Sequence, residues 1–274
     1  MLTGKALVED IDACRVGPGQ AGYWWLGQHS FVVKLGKTVL YIDPFLTPME
    51  ARRVPPLLTA AELTDAAAIL GSHDHADHID RDAWPALAGS SDAPFIVPML
   101  LREKIIGELG LPAARVLGID EGVTLNIGEA TITAIPAAHE FLDTDPATGR
   151  HPFLGFIIQG NGFTVYHAGD TCIYEGIQAK LRQWKIDLAF LPINGRDAQR
   201  LKANCIGNMT YQEAVDLAGS QQFGMTVPAH FEMFAMNSEN PQRFIDYMQV
   251  KYPKLKGRIP VHGERTVVNA GGRN

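Results

Sequence analysis

Short apolar runs punctuated by Gly and Pro fill the first third of the chain. Ala21–Leu26, Ser30–Leu35 and Thr38–Asp43 read as strands, with Gly36-Lys37 as the hairpin turn between the last two. The Pro-rich stretch Pro44–Leu58 reads as a loop. A short apolar strand, Ala67–Gly71, runs into a His/Asp-rich segment, and a helix is expected after it with Asp80 as its N-cap. Phe95–Pro98 predicts a strand and Met99–Leu109 an amphipathic helix that Gly110 stops. Arg115–Ile119, Val123–Ile127 and Ala130–Ile135 predict three more strands. A polar loop, Ala137–Pro152, leads to a hairpin of Phe153–Gln159 and Phe163–His167. The final third alternates: helix Tyr174–Trp184 before strand Asp187–Pro192, helix Tyr211–Ser220 before strand Met225–Pro228, and helix Pro241–Lys251 before a terminal strand or two. Hairpins followed by β/α alternation predict an α/β protein with two mixed sheets packed face to face and helices outside. With no internal repeat and no low-complexity linker, residues 1–274 are expected to form one domain.

Composition narrows the partners. The 274 residues are 46% hydrophobic and 20% charged, the make-up of an ordinary globular protein with a large core. Lys and Arg total 24 against 30 Asp and Glu, a formal net charge of −6, and the densest basic spot is Arg52-Arg53. A nucleic-acid binder needs a basic face to neutralise phosphates, so none is expected as partner. A small-molecule substrate, including an anionic one, remains compatible. Three cysteines, Cys14, Cys172 and Cys205, lack C-x-x-C spacing and read as free thiols of a reducing compartment. The first residues offer no apolar targeting region, and no apolar run reaches a membrane-span length, so a cytoplasmic enzyme is expected, with a homo-oligomer compatible.

One segment dominates the chemistry: Ser72-His73-Asp74-His75-Ala76-Asp77-His78-Ile79-Asp80. In extended chain, residues two apart point to the same side, so His73 and His75 can grip one ion together. Asp77 and His78 lie where the chain turns toward the next helix and would point at a neighbouring position. Borderline divalent ions favour such mixed imidazole and carboxylate donors. A polar turn with His as filler would explain one such His, not three. His139, Asp170 and His230 each follow an apolar strand, and strand ends along one edge are where α/β proteins build sites.

The segment resembles the His-x-His-x-Asp-His signature of the metallo-β-lactamase superfamily, and His139, Asp170 and His230 resemble its remaining ligand motifs in order. The phrases Trp24-Trp25-Leu26-Gly27, Asp43-Pro44-Phe45, Tyr166-His167-Ala168-Gly169-Asp170 and Pro192-Ile193-Asn194-Gly195-Arg196 are similar to those of the L-ascorbate-6-phosphate lactonase-like branch. The resemblance implies an αββα sandwich over essentially the whole chain. It implies that His73, His75 and His139 bind a first metal, that Asp77, His78 and His230 bind a second, and that Asp170 bridges them. Asp43 would orient a ligand imidazole by accepting its other N–H. Zinc and manganese both suit this set, with one or both positions filled. The bridging aspartate argues against β-lactam hydrolysis, and His75 argues against the dioxygen chemistry of the flavin-linked di-iron relatives, which carry Glu there. Relative to the ascorbate-phosphate lactonases the chain is shorter in the loops and ends that shape the substrate pocket.

Two such cations lower the pKa of a shared water from ~15.7 toward ~7, making hydroxide available to attack a carbonyl or phosphorus centre. Asp77 is the expected catalytic residue, passing a proton to the leaving alkoxide. His29, His167, Asn194 and Arg196 are candidates for contact with the ligands or the substrate, and Arg196, Arg200 and Lys202 for clamping an anion. For each the plainer alternative is a packed or solvated side chain. Cys172 is weighed as an extra ligand against a small buried hydrophobe; His151 and Arg150 lie in a loop that would serve as a lid or lie solvated; His262 reads as structural. Of Trp24 and Trp25, one must face the core and the other away, toward a pocket. The leading functional expectation is a hydrolase opening a small sugar-derived or related lactone. The alternatives are a phosphodiesterase on a small cyclic or nucleotide ester, and a metal-stabilised scaffold without a reaction.

Overall fold

The computed structural model describes residues 1–271. Its first sheet is built from β1 (Gln20–Gly27), β2 (Ser30–Leu35), β3 (Thr38–Ile42), β4 (Ala68–Leu70), β5 (Phe95–Pro98) and β6 (Val116–Ile119), with β14 (Thr266–Asn269) returning to pair with β1. The second holds β7 (Thr124–Ile127), β8 (Ala130–Pro136), β9 (Leu154–Gly160), β10 (Phe163–His167), β11 (Leu188–Pro192), β12 (Met225–Ala229) and β13 (Lys256–Gly257). Strand order is β14-β1-β2-β3-β4-β5-β6 in one sheet and β13-β12-β11-β10-β9-β8-β7 in the other. Both are mixed. Antiparallel pairing runs from β14 to β3 and from β7 to β10, and parallel pairing continues to β6 and β13. The expected two-sheet architecture with flanking helices is therefore what forms.

Alternation along the strands decides which side chains meet. Tyr23, Trp25, Phe31 and Val33 face the second sheet, while Trp24, Leu26 and Val32 face outward against helices. Between the sheets, Phe31 stacks on Phe190 with ring centroids 3.9 Å apart, and Tyr23 meets Phe190 edge-on at 5.3 Å. Such aromatic pairs contribute about 0.5–1.5 kcal/mol each beyond the area they bury.

On the outer face of the first sheet lie α1 (Gly4–Ala13), α2 (Trp84–Ser90) and α3 (Arg102–Leu109). The second sheet is covered by α4 (Ile177–Leu181), α6 (Tyr211–Gln221) and α7 (Pro241–Lys251), and the short α5 (Ala198–Lys202) lies between β11 and α6. Four local expectations need correction. Helix α1 replaces an N-terminal segment that carried no predicted element: it docks through Leu7, Val8 and Ile11, Trp24 Nε1 donates to Asp10 at 2.9 Å, and Lys34 Nζ caps its last carbonyls at Ile11 and Asp12. Helix α4 is shorter than Tyr174–Trp184, because the chain turns through Gly176 in a left-handed conformation. The connection 194–208 is helical over α5, with the Asp197 side chain accepting from the Arg200 backbone. Regular α2 begins at Trp84; Asp80 instead accepts from the Ala83 N–H at the turn before it and from the N–H groups of Leu46 and Thr47.

Strands β1, β3, β4, β8, β10, β11 and β12 all end at one edge of the two sheets, as their pairings require. Backbone hydrogen bonds stitch the sheets there, from His230 to Gln28 at 2.9 Å and from Leu154 to Ser72 at 3.0 Å. Gly71, directly after β4, lets Ile79 and Trp84 close over the backbone: a Cβ would lie 2.6 Å from Ile79 Cγ1 and 2.8 Å from the Trp84 ring. Substituting Gly71→Ala is expected to destabilise the protein by about 1–3 kcal/mol, an overpacking cost, read as a lower denaturant midpoint. An unchanged midpoint would show that Ile79 and Trp84 do not seat the segment against β4.

Candidate metal centre

The site begins with a carboxylate that is not at its surface. Asp43 follows β3 in a left-handed conformation (φ 49°) and is fully buried. It accepts from the Ser72 N–H at 2.7 Å, the Ser72 hydroxyl at 2.6 Å and His78 Nδ1 at 2.6 Å. That last bond keeps the His78 proton on Nδ1 and turns Nε2 the other way. Nε2 is buried with no hydrogen-bond partner, 3.5 Å from Asp170 Oδ1 and 3.7 Å from Asp77 Oδ2.

Residues 73–79 form a succession of bends and turns, with His75 N–H bonded to His73 O and both His78 and Ile79 N–H to His75 O. The bends, rather than extended alternation, bring His73 Nε2 to 3.0 Å from His75 Nδ1. Asp74 is thrown outward, where it pairs with Arg81 and Lys104 and so ties the segment to α3. His139, past the end of β8, places its ring 4.9 Å from His75 and 5.3 Å from His73, and Phe153 covers all three.

Asp170 follows β10 through Gly169, whose φ of 60° and close approach to the Leu154 carbonyl leave no room for a side chain. Its Oδ2 lies 3.0 Å from His230 Nε2 and 4.0 Å from His73 Nε2, while Oδ1 faces His78. His230 follows β12 in a left-handed conformation, with Nε2 3.8 Å from Asp77 Oδ2. Three sets of donors thereby converge: His73, His75 and His139; His73, His78 and Asp170; Asp77, His78 and His230.

These residues fit a divalent ion. A tetrahedral ion with nitrogen donors at about 2.0–2.1 Å holds them roughly 3.3 Å apart, the spacing found between His73 and His75 and between Asp170 and its neighbours. The unpartnered His78 Nε2, facing Asp170 and Asp77, is the orphaned buried atom such an ion would satisfy. Electrostatics point the same way. Burial pushes His73 well below the ordinary imidazole range and His139 down to about 4, so both are neutral, lone-pair donors. For His78 burial acts downward too, but Asp170, Asp77 and Asp43 outweigh it and raise it to about 10. Asp170 and Asp77 remain ionised despite burial, because His230 and His78 face them. Without another cation, only protonated imidazole balances the carboxylates.

Gln28 is a site residue with little to mark it in the sequence. Fully buried in the β1–β2 turn, it donates from Nε2 to Asp77 Oδ2 at 2.8 Å, lies 3.3 Å from His230 Nε2, and accepts the His230 N–H on its carbonyl. Its only sequence signal is its place between a strand end and His29. His29 Nδ1 lies 3.5 Å from Asp170 Oδ1, and its ring stacks at 4.1 Å on His167, which donates from Nε2 to the His29 carbonyl. Burial lowers His29 to about 4 and His167 to about 3. Asn194 is buried and donates to Asn237 at 2.7 Å, with its own Oδ1 unpartnered. Arg196 turns to Glu213, donating to its two oxygens at 2.7 and 2.6 Å, and Arg200 pairs with Asp197. Cys172 is a buried thiol with its pKa raised by burial. His151 is held by Asp120 at 3.2 Å, anchoring one end of the loop after His139. Trp24 and Trp25 are both buried, the latter stacked on His262 at 4.0 Å.

Zinc or manganese added to dialysed protein is expected to bind and to raise the melting temperature, since a ligand bound only by the folded state stabilises it. Asp43→Asn should weaken that binding by about 10–100-fold, the cost of losing an orienting carboxylate, and Asp170→Ala should nearly abolish it. Titration calorimetry showing native affinity in both variants would disprove the assignment of these donors.

Comparison with known proteins agrees with the geometry. A family model described as Beta-lactamase superfamily domain matches residues 38–231. A UPF0173 metal-dependent hydrolase from Roseobacter denitrificans is 31% identical over 81% of this chain and 90% of its own. One from Nitratidesulfovibrio vulgaris is 30% identical over 85% and 89%. Among solved structures, Igni18, a metallo hydrolase from Ignicoccus hospitalis, superposes with a TM-score of 0.73 at 21% identity, covering 91% of this chain and 99% of its own, a likeness of fold. Motif, fold and relatives converge, and the chain belongs to the metallo-β-lactamase superfamily, among its UPF0173 metal-dependent hydrolases.

Proposed function

We propose that the protein hydrolyses small lactones at a centre of two divalent cations, zinc or manganese. His73, His75 and His139 would hold one, Asp77, His78 and His230 the other, with Asp170 between them. The observation that carries this reading is the placement of Asp170: one oxygen faces His78, and the other lies between His73 and His230. Cations held there supply Lewis acidity toward a carbonyl oxygen and make water acidic enough to ionise near neutral pH.

The chain's own groups supply the rest. Asp77 is ionised, its Oδ2 is held by Gln28, and its side chain is 21% exposed where His73, His78 and Asp170 are sealed. It is the carboxylate that an entering molecule can reach. In the proposed reaction the oxygen of water bonds to the lactone carbonyl carbon, and the proton lost goes to Asp77. The ring C–O bond then breaks, and Asp77 returns the proton to the departing alkoxide, which stays tethered to the product as its hydroxyl. His29, stacked on His167, braces Asp170 from behind. A neutral ester suits the surroundings better than a phosphodiester, because two of the three candidate anion clamps, Arg196 and Arg200, are already paired, leaving only Lys202.

A pH-indicator assay on a panel of lactones, run beside bis-nitrophenyl phosphate, tests this directly. Lactone turnover is expected, falling by about 10²–10⁴-fold in kcat for Asp77→Asn, the usual loss of a positioned acid–base group. Turnover of the phosphodiester alone would transfer the assignment to phosphorus chemistry. A full metal complement without turnover would leave a binding scaffold.

A further inference from the structure

Beside the cation-binding cluster lies a pocket of about 230 Å³ whose lining includes Glu140, Arg196, Asp197, Leu201, Ile206 and Gly207. It adjoins the cluster directly. Glu140 follows His139, and Cys172, two residues past Asp170, bonds through its N–H to Ala138 O at 2.7 Å and through its thiol to Gly207 O at 3.8 Å. From the proposed lactonase reading, on which this step rests, we infer that the pocket receives an uncharged apolar substituent of the substrate, an alkyl or aryl group, rather than a phosphate or carboxylate.

Charge decides against an anion. Arg196 is the lining's one cation, and both of its terminal nitrogens are spent on Glu213, one of them also on Asn208 O at 3.0 Å. Asp197 is occupied with Arg200 and with the start of α5. Glu140 makes no side-chain hydrogen bond or ion pair among the described residues, so the unmatched charge at the pocket is negative. An anionic substituent would meet it.

Apolar surface argues for what does enter. Leu201 is 64% exposed and Ile206 39% exposed within the lining, and the adjoining segments add Phe141 at 67% and Ile173 at 39%. Leu201 and Ile206 belong to the lining itself, and Phe141 and Ile173 adjoin in sequence Glu140 of the lining and Cys172, whose thiol bonds to Gly207 O. A patch of this kind at a cleft marks a binding surface. The volume suffices, since a dry cavity of ~150 Å³ already admits a benzene ring. Each methylene buried there is worth about fourfold in affinity, the equivalent of ~0.8 kcal/mol.

The test uses lactams, which keep the ring and carbonyl but resist opening, titrated by calorimetry into the metal-reconstituted protein: 2-pyrrolidinone, its 5-hexyl derivative and its 5-carboxylate. The hexyl compound should bind at least tenfold tighter than the parent, and the carboxylate no tighter. In the double variant Leu201→Asp, Ile206→Asp, with circular dichroism confirming the fold, the hexyl-to-parent ratio should fall below threefold. Equal affinity for all three, or tightest binding of the carboxylate, overturns the inference. Kinetics on the corresponding lactones separates it from the reaction itself. Hexyl-selective binding without turnover keeps the pocket and removes the lactonase; turnover indifferent to the substituent keeps the lactonase and removes the pocket.

Discussion

Burying several carboxylates in one place is possible only if positive charge accompanies them. Asp43 and Asp170 are sealed inside the protein and Asp77 is mostly covered, and His78 stands among all three. Asp43 is satisfied by Ser72 and by the far nitrogen of His78. Toward His73, His78 and His230, Asp77 and Asp170 face ring nitrogens across gaps of 3.5–4.0 Å, apart from the 3.0 Å His230–Asp170 contact. A site arranged this way is incomplete as a set of protein groups alone, and that incompleteness is what suits it to a divalent cation.

The scaffold makes the arrangement affordable. Strands of both sheets end at one edge, so each polar group can be delivered by a rigid element while its own turn stays short. Left-handed backbone at Gln28, Asp43, Gly169 and His230 appears at these ends, where the chain must reverse to aim a side chain into the cleft. Behind this edge the sheets are apolar, with Phe31 and Phe190 in face-to-face contact. A rigid apolar base and a strained polar rim are two parts of one solution.

How much of this was legible in the chain depended on whether the signal was local. The strand ends that gather the His and Asp cluster were readable, because apolar runs and His or Asp residues adjoin one another in sequence. Helix α1 was not, since it is held by Trp24 and Lys34 on the two strands that follow it rather than by its own ten residues. Gln28 escaped because an amide carries no charge and reveals its part only through contact with Asp77 and His230. Arg196 looked available for an anion because its partner, Glu213, lies on another element. In 73–78 it is bends that bring His73 and His75 together, where extended chain was expected to do so.

The stitching of the two sheets at the ligand edge has a thermodynamic side. An ion shared by residues from the 73–78 segment and His230 would join points separated by more than half the chain. Because the donors come together only in the folded chain, the free energy of holding the ion adds directly to the stability of the fold. Metal at this position would therefore act as a fastener as well as a reagent, and the mouth of the cleft would be the last part of the protein to come apart.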